Sequence, residues 1–477
     1  MKQRTVFISG KFNILHPGHL RLLRFARSVG NRLIVAIESD DVAGADAHVP
    51  ESFRLDGVQS NSLVDECFIA YEPISSTIAR LQPDVVVKGK EHESRFNPEL
   101  AILEQYGGKL LFSSGETIFS SLDLIRKEFQ QLDARSISLP HGYMARHHIS
   151  PRRLQDLLIK FSELKVCVVG DLIVDEYITC QPLGMSQEDP TIVVTPVDST
   201  RFMGGAGIVA AHAAGLGASV QFFSVTGNDT AREFALAGLA DGGVVAKTLI
   251  DSSRPTTLKQ RYRSKGKSLL RVSHLHQGAV STEIQNRLFA MFEEAMEGID
   301  LLVFSDFNYG CLPQPLVDKL VMLAKSRGVL LAADSQSSSQ VGDISRFKGM
   351  DLLTPTEREA RISTRNREDG LVVLAEQLRQ QASAHNVLLK LGEEGLLVHA
   401  HNSSGSEWLT DRVDALNSAP KDVAGAGDSL LIVSAMTLAS RGNIWEAACL
   451  GSLAAAVQVG RVGNTPIQVQ ELLRELS

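Results

Sequence analysis

At 477 residues, 44% hydrophobic and 22% charged, the chain has the make-up of a globular protein and is long enough for two large domains or about three ordinary ones. A net charge of −7 gives no support for a nucleic-acid partner. No apolar run is long enough to cross a bilayer; the small-residue run 447–459 is short and contains Gly451, Ser452 and Gln458, so no membrane partner is expected. Five scattered cysteines without CxxC spacing, and a first strand that begins almost at once with no signal peptide before it, predict a cytoplasmic protein with reduced thiols.

The first predicted strand, Thr5–Ser9, leads through Gly10, Lys11 and Phe12 to His16-Pro17-Gly18-His19, and helical periodicity follows from Leu20 to Val29. Two imidazoles three residues apart on a helix-opening turn can both face an anion. Pro17 suits a first turn, Gly18 lets a phosphate approach the backbone, and the helix N-terminus adds donors and a positive dipole end. Further strands fit Leu33–Ile37, Glu66–Ala70, Val85–Val87 and Lys109–Phe112. Helices fit Arg54–Leu63, Ser75–Leu81 and Asn97–Tyr106. The alternation predicts a doubly wound, Rossmann-like α/β domain over residues 1–130, with ligands at the carboxyl ends of its strands. Lys88 directly follows an apolar strand and so falls at that edge. Ser120 and Ser121, on the residues alone, read as a plain helix N-cap.

The strand, His16-x-Gly18-His19 turn and helix resemble the HxGH signature of the nucleotidylyltransferases. That resemblance implies a nucleotide site including Gly10, Lys11, Phe12, Gly18, Ser120 and Ser121, with His16, His19 and Lys88 acting on the phosphates. Relatives carry a phosphate-binding lysine after the second strand. None occurs here between Lys11 and Lys88, and Arg54 is expected to compensate at the substrate.

Residues 131–150, with His141, His147 and His148 among Pro, Gly and Ser, read as a solvated linker. A helix, Pro151–Glu163, and a strand, Val166–Gly170, then open a second α/β region over 151–477. Near its end Gly425-Ala426-Gly427-Asp428 precedes an apolar helix. Small residues let backbone N–H groups face a developing negative charge, and a carboxylate at the end of the loop can accept a hydroxyl proton.

Gly170-Asp171, Asp175, Gly204-Gly205, Gly227-Asn228-Asp229, Ser305-Asp306, Leu353-Thr354-Pro355 and Leu389-Lys390-Leu391-Gly392 stand in the order and rough spacing of the ribokinase-like (PfkB) sugar kinases. The resemblance implies Asp428 as base and Gly425, Ala426 and Gly427 as anion hole. It further implies nucleotide contacts at Lys390 and Gly392, sugar contacts at Asp171, Asp175, Gly204, Gly205 and Asp306, and magnesium at Glu359. Three positions depart from that pattern. Ile208 replaces a sugar-binding Asn, Asn308-Tyr309 lacks the lysine of Asp-Tyr-x-Lys-Gly, and Thr356 replaces the Asn of Thr-Pro-Asn.

The pairing of the two halves resembles the bifunctional heptose-7-phosphate kinase/heptose-1-phosphate adenylyltransferases of ADP-heptose synthesis, with the domain order reversed. The strings Gly170–Tyr177, Ser186–Pro190 and Val85–Gly89 carry it. It implies a homodimer that uses ATP, or another nucleoside triphosphate, with Mg²⁺ on a sugar phosphate. An alternative is a nucleotidylyltransferase whose kinase-like half is a non-catalytic sugar-phosphate-binding or dimerisation module. Another is a ribokinase-like nucleoside or ketose kinase with an inert N-terminal domain.

Overall fold

A computed structural model describes residues 4–13, 15, 17–44, 47, 49–89, 92, 97–112, 136–189, 191–264, 267–336, 342–401 and 409–477. The chain divides into two compact units: residues 1–134 with 365–374, and residues 135–364 with 375–477. Among the described residues no helix is long and apolar enough to cross a membrane.

The first unit carries strands β1 (Thr5–Gly10), β2 (Arg32–Glu38), β3 (Glu66–Ala70), β4 (Val85–Lys88) and β5 (Lys109–Phe112). They form a parallel sheet in the order β3-β2-β1-β4-β5. Alternate residues of β1 feed opposite faces. Val6 and Ile8 pack with Leu22, Leu23 and Ala26 of the helix Pro17–Val29, whereas Phe7 packs with Ile78 and Leu103 on the other side. Covering both faces explains why β2 is an unbroken buried run from Leu33 to Ile37. The strand order switches sides between β1 and β4, so Gly10 and Lys88 stand at the carboxyl ends that flank the switch point of the sheet.

The second unit carries β6 (Lys165–Gly170), β7 (Leu172–Met185), β8 (Ile192–Gly204), β9 (Ser219–Thr226), β10 (Val245–Ile250), β11 (Thr257–Ser264) and β12 (Lys267–His274). These are followed by β13 (Leu301–Asp306), β14 (Leu330–Ser335), β15 (Leu352–Leu353), β16 (Asn386–Lys390), β17 (Leu396–Ala400) and β18 (Leu409–Val413). The main sheet runs β10-β9-β6-β13-β14-β15-β16-β17-β18, parallel up to β16 and antiparallel at its last two pairings. A second sheet, β12-β11-β7-β8, ends on the long edge strand β8. Leu183, Met185, Ile192, Val193 and Val197 are exposed on β7 and β8.

The solvated linker expected over 131–150 is corrected from residue 136 onward. The helix His141–Arg146 buries Tyr143 and Met144 in the second unit's core. His147 stacks on Trp445 at 4.0 Å and meets Asp411 at 2.7 Å, while Arg146 forms a two-pronged bond to the same carboxylate at 2.9 and 3.0 Å. The partners lie more than 260 residues away in sequence, so local composition carried no sign of them. Trypsin is therefore expected to leave the bonds after Arg146 and Arg153 intact in the native protein, Arg153 being paired with Glu446 at 2.8 Å. Mass spectrometry of a limited digest checks this; early fragments ending at either residue would contradict it.

Candidate active site

The acidic residues of the second unit gather at the carboxyl ends of its parallel strands. Asp171 follows β6, Asp306 ends β13, Asp334 lies in the last turn of β14, and Lys390 ends β16. The helix Ala426–Ala439 opens beside them. Gly425, at its N-cap, has φ 78°, and a Cβ there would collide with Asn464 Oδ1, so only glycine fits this turn. The N–H groups of Gly427 and Asp428, in the first turn, have no helical acceptor.

Asp428 is 5% exposed, and no side-chain hydrogen bond holds it among the described residues. Burial pushes its carboxyl up from 3.8 to about 7; Asp334 and Asp175 add to the rise, and Lys390 and Lys259 oppose it. Asp334 is likewise pushed up to about 6 by burial, against the pull of Lys390, which it meets at 2.7 Å. Asp175 is raised by burial and drawn back by Arg261, 3.6 Å away, and by Lys259 and Arg271. Gly204 leaves room for Asp175: a Cβ there would strike Asp175 Oδ2.

Asp171, the expected sugar contact, lies buried just after β6. Both oxygens are taken by backbone N–H groups of Phe307, Tyr309 and Cys311, at 2.8, 3.3 and 3.2 Å, so it braces the loop after β13. Asp306 is similarly committed: Ser335 Oγ and Arg346 donate to Oδ2 at 2.7 and 2.9 Å, and Asn308 N to Oδ1. Glu359 receives the Thr356 N–H at 2.7 Å in a reciprocal helix cap and lies close enough to Asp334 and Lys390 to shift both. Among the described residues no group of three or more His, Cys, Asp or Glu could hold a metal ion by itself. Gly205 opens the helix behind Asp171, and Gly392 opens a tight turn after β16. Sequence reasoning missed Asp334, although an apolar strand ending in a carboxylate, the same signal as Ser305-Asp306, marks it.

In the first unit His19 lies in the helix that opens at Pro17-Gly18, its ring 4.9 Å from that of Phe12. Phe12 is buried and holds φ 47°. Its ring packs over Gly10. Lys88 ends β4 and pairs with Glu99 at 3.0 Å. His16, Ser120 and Ser121 lie outside the described residues. Arg54 is corrected. Its side chain has no exposed surface, and its three nitrogens bond Val49 O, Lys11 O and Asp40 Oδ1 at 2.8, 2.6 and 2.6 Å. It clamps the loop that carries Lys11 and does not reach a substrate.

A profile of the pfkB family carbohydrate kinases matches residues 163–470. The chain belongs to that family. A cytidylyltransferase-like profile matches residues 7–128. "Bifunctional protein HldE" of Desulfatibacillum aliphaticivorans is 30% identical over 320 residues, covering 66% of this chain and 64% of that one. The protein of the same name from Helicobacter hepaticus is 29% identical, covering 65% and 63%. The chain thus spans just under two thirds of these relatives. The pfkB fold is seen in a carbohydrate kinase from Agrobacterium tumefaciens at 20% identity and TM-score 0.51, covering 66% of this chain and 97% of that one. It is seen again in the Arabidopsis thaliana ribokinase complexed with ribose and ATP, at 18% identity and TM-score 0.51, covering 66% and 98%. Within this pfkB unit Ile208 is wholly buried, in keeping with a packing role.

The Asp428 carboxyl sets a pH dependence whose sign is fixed. Its folded pKa, about 7, lies above the ordinary 3.8, so the folded state binds the extra proton between those values and stability falls as pH rises through them. A rise of that size corresponds to roughly 4 kcal/mol at most. Asp428→Asn keeps the shape and is expected to raise the melting temperature by several degrees at pH 8, with the gain vanishing near pH 4. Calorimetric melting of both proteins across that range is the check; equal gain at every pH would contradict it.

Proposed function

We propose that the chain is a cytoplasmic enzyme of nucleotide-activated sugar synthesis with two transfer activities. In the second unit a hydroxyl of a sugar phosphate attacks the γ-phosphorus of ATP, and ADP departs. In the first, a sugar 1-phosphate attacks the α-phosphorus of a nucleoside triphosphate, with ATP the favoured donor, and pyrophosphate departs. The observation that carries the reading is Asp428. A buried carboxyl whose pKa is pushed to about 7, beside open N–H groups at a glycine turn, has the basicity to take a hydroxyl proton and the adjacent donors to receive phosphoryl charge.

The acceptor site supports a phosphorylated sugar. Lys259, Arg261 and Arg263 share one face of β11, and Arg271 stands opposite Arg261 on β12. Arg261 and Arg263 rest on the Tyr177 ring, and Lys259 on those of Phe307 and Tyr309. A neutral sugar has no use for so much positive charge beside Asp175; a second phosphate does. Magnesium, which would arrive with the nucleotide and neutralise part of its charge, fits beside Glu359 and Asp334 Oδ1, which has no hydrogen-bond partner among the described residues. In the first unit the crevice between β1 and β4, with Lys11, His19 and Lys88 at its rim, supports nucleotidyl transfer, with His16 as the second imidazole of the signature. Unpaired cysteines agree with a cytoplasmic setting.

ADP and pyrophosphate release, measured separately over a panel of sugar phosphates with ATP and CTP, test the reading. Asp428→Asn is expected to abolish sugar-dependent ADP formation and leave pyrophosphate release intact. His19→Ala should do the converse, lowering pyrophosphate release by about 10²-fold. The departures at Ile208, Asn308 and Thr356 favour a second reading, in which the kinase unit only binds sugar phosphate; binding without any ADP formation by the wild type would establish it.

We further propose a homodimer formed through β8. An edge strand of 13 residues carrying exposed Ile192, Val193 and Val197 is a template for pairing with a second copy. Sedimentation is expected to give twice the chain mass for the wild type and the single-chain mass for Val197→Asp. A monomeric wild type would overturn this assembly.

A further inference from the structure

In the stretch Asp306–Gly310 after β13 the lysine position is held by Tyr309, itself buried, so that loop brings no cation. A different ammonium reaches the glycine turn. Lys390 is fixed at the end of β16 by its own N–H, which donates to Pro355 O at 2.7 Å. Its Nζ donates to Asp334 Oδ2 at 2.7 Å, and a Cβ built on Gly427 would stand 3.2 Å from that Nζ, so the ammonium lies against the turn. One of its three donors is thereby used among the described residues. Asp334 is 2% exposed, and its other oxygen, Oδ1, is buried without a hydrogen-bond partner among the described residues. A pair kept only for the fold would satisfy both oxygens; burying an ion pair adds little stability by itself.

We propose that Lys390 is the cation that receives the transferred phosphoryl group, in place of the lysine absent at Tyr309, and that Asp334 is the residue that positions it. This rests on the kinase reading above. In the step, the acceptor oxygen forms a bond to the γ-phosphorus, the bond from that phosphorus to the ADP oxygen breaks, and the hydroxyl proton passes to Asp428. Lys390 keeps its protons throughout. It turns two donors toward the equatorial oxygens while Asp334 retains the third.

Calorimetric binding of Mg·AMP-PNP and Mg·ADP to the full chain separates this role from a structural one, because only the first nucleotide carries a γ-group. Lys390→Met is expected to weaken AMP-PNP about tenfold or more, the loss of one bond to a charged group, while ADP changes by less than about twofold. Lys390→Arg should restore part of the preference. If the single variant does not fold, Lys390→Met with Asp334→Asn removes both charges together and carries the same comparison. Equal weakening of the two nucleotides, or no change in their ratio, overturns the role of Lys390 and leaves the kinase reading standing. A wild type that binds neither nucleotide overturns the kinase reading and this inference with it.

Discussion

Three aspartates, Asp171, Asp334 and Asp428, are buried along the carboxyl ends of one sheet, and the second unit is organised around how each is compensated. Asp171 has three backbone N–H groups and is spent as a brace. Among the described residues Asp334 has the Lys390 ammonium on one oxygen and no partner on the other. Asp428 has neither, only the field of Lys390 and Lys259 set against that of its acidic neighbours. Burial nevertheless raises all three carboxyls, Asp171 and Asp334 to about 6 and Asp428 to about 7; in Asp171 the nearby Asp306 adds to the rise and its three N–H donors only partly offset it.

The first unit solves an opposite problem, burying a cation without spending it on chemistry. Arg54 gathers two carbonyls from separate loops and one carboxylate oxygen, so the loop after β1 and the helix Glu51–Gln59 hold a common geometry. The planar guanidinium suits this because its donors are fixed in direction, which a lysine could not match. The neighbouring Phe12, at positive φ, is held in the same segment.

Much of this could be read in the residues themselves. Strands β1 to β5 fall within one residue of their expected limits at each end, because parallel strands covered on both faces are continuous apolar runs with sharp ends. Asp428 and its glycine turn were legible because helix-opening chemistry is local. The long strands β7 and β8 were not expected: much of each faces solvent, so neither an apolar run nor a clean alternation marks them. Equally hidden was the meeting of Lys390 with Asp334, 56 residues apart, and of His147 with Asp411 and Trp445. Arg54 was misjudged for the same reason, since a lone arginine near a phosphate motif shows nothing of three acceptors arriving from elsewhere in the chain.

Strand β7 begins in the core at Leu172, carries the buried Asp175 and continues as half of a two-stranded ribbon to the exposed Met185. From Asp175 to Met185 the backbone advances roughly 33 Å. Such a ribbon is a lever with its short arm in the core and its long arm in solvent. Its backbone hydrogen bonds to β8 make it stiff along its length and compliant mainly in twist. A small rotation imposed on the outer end therefore arrives at Asp175 as a change in the direction of its carboxylate, with no rearrangement of the core beneath it.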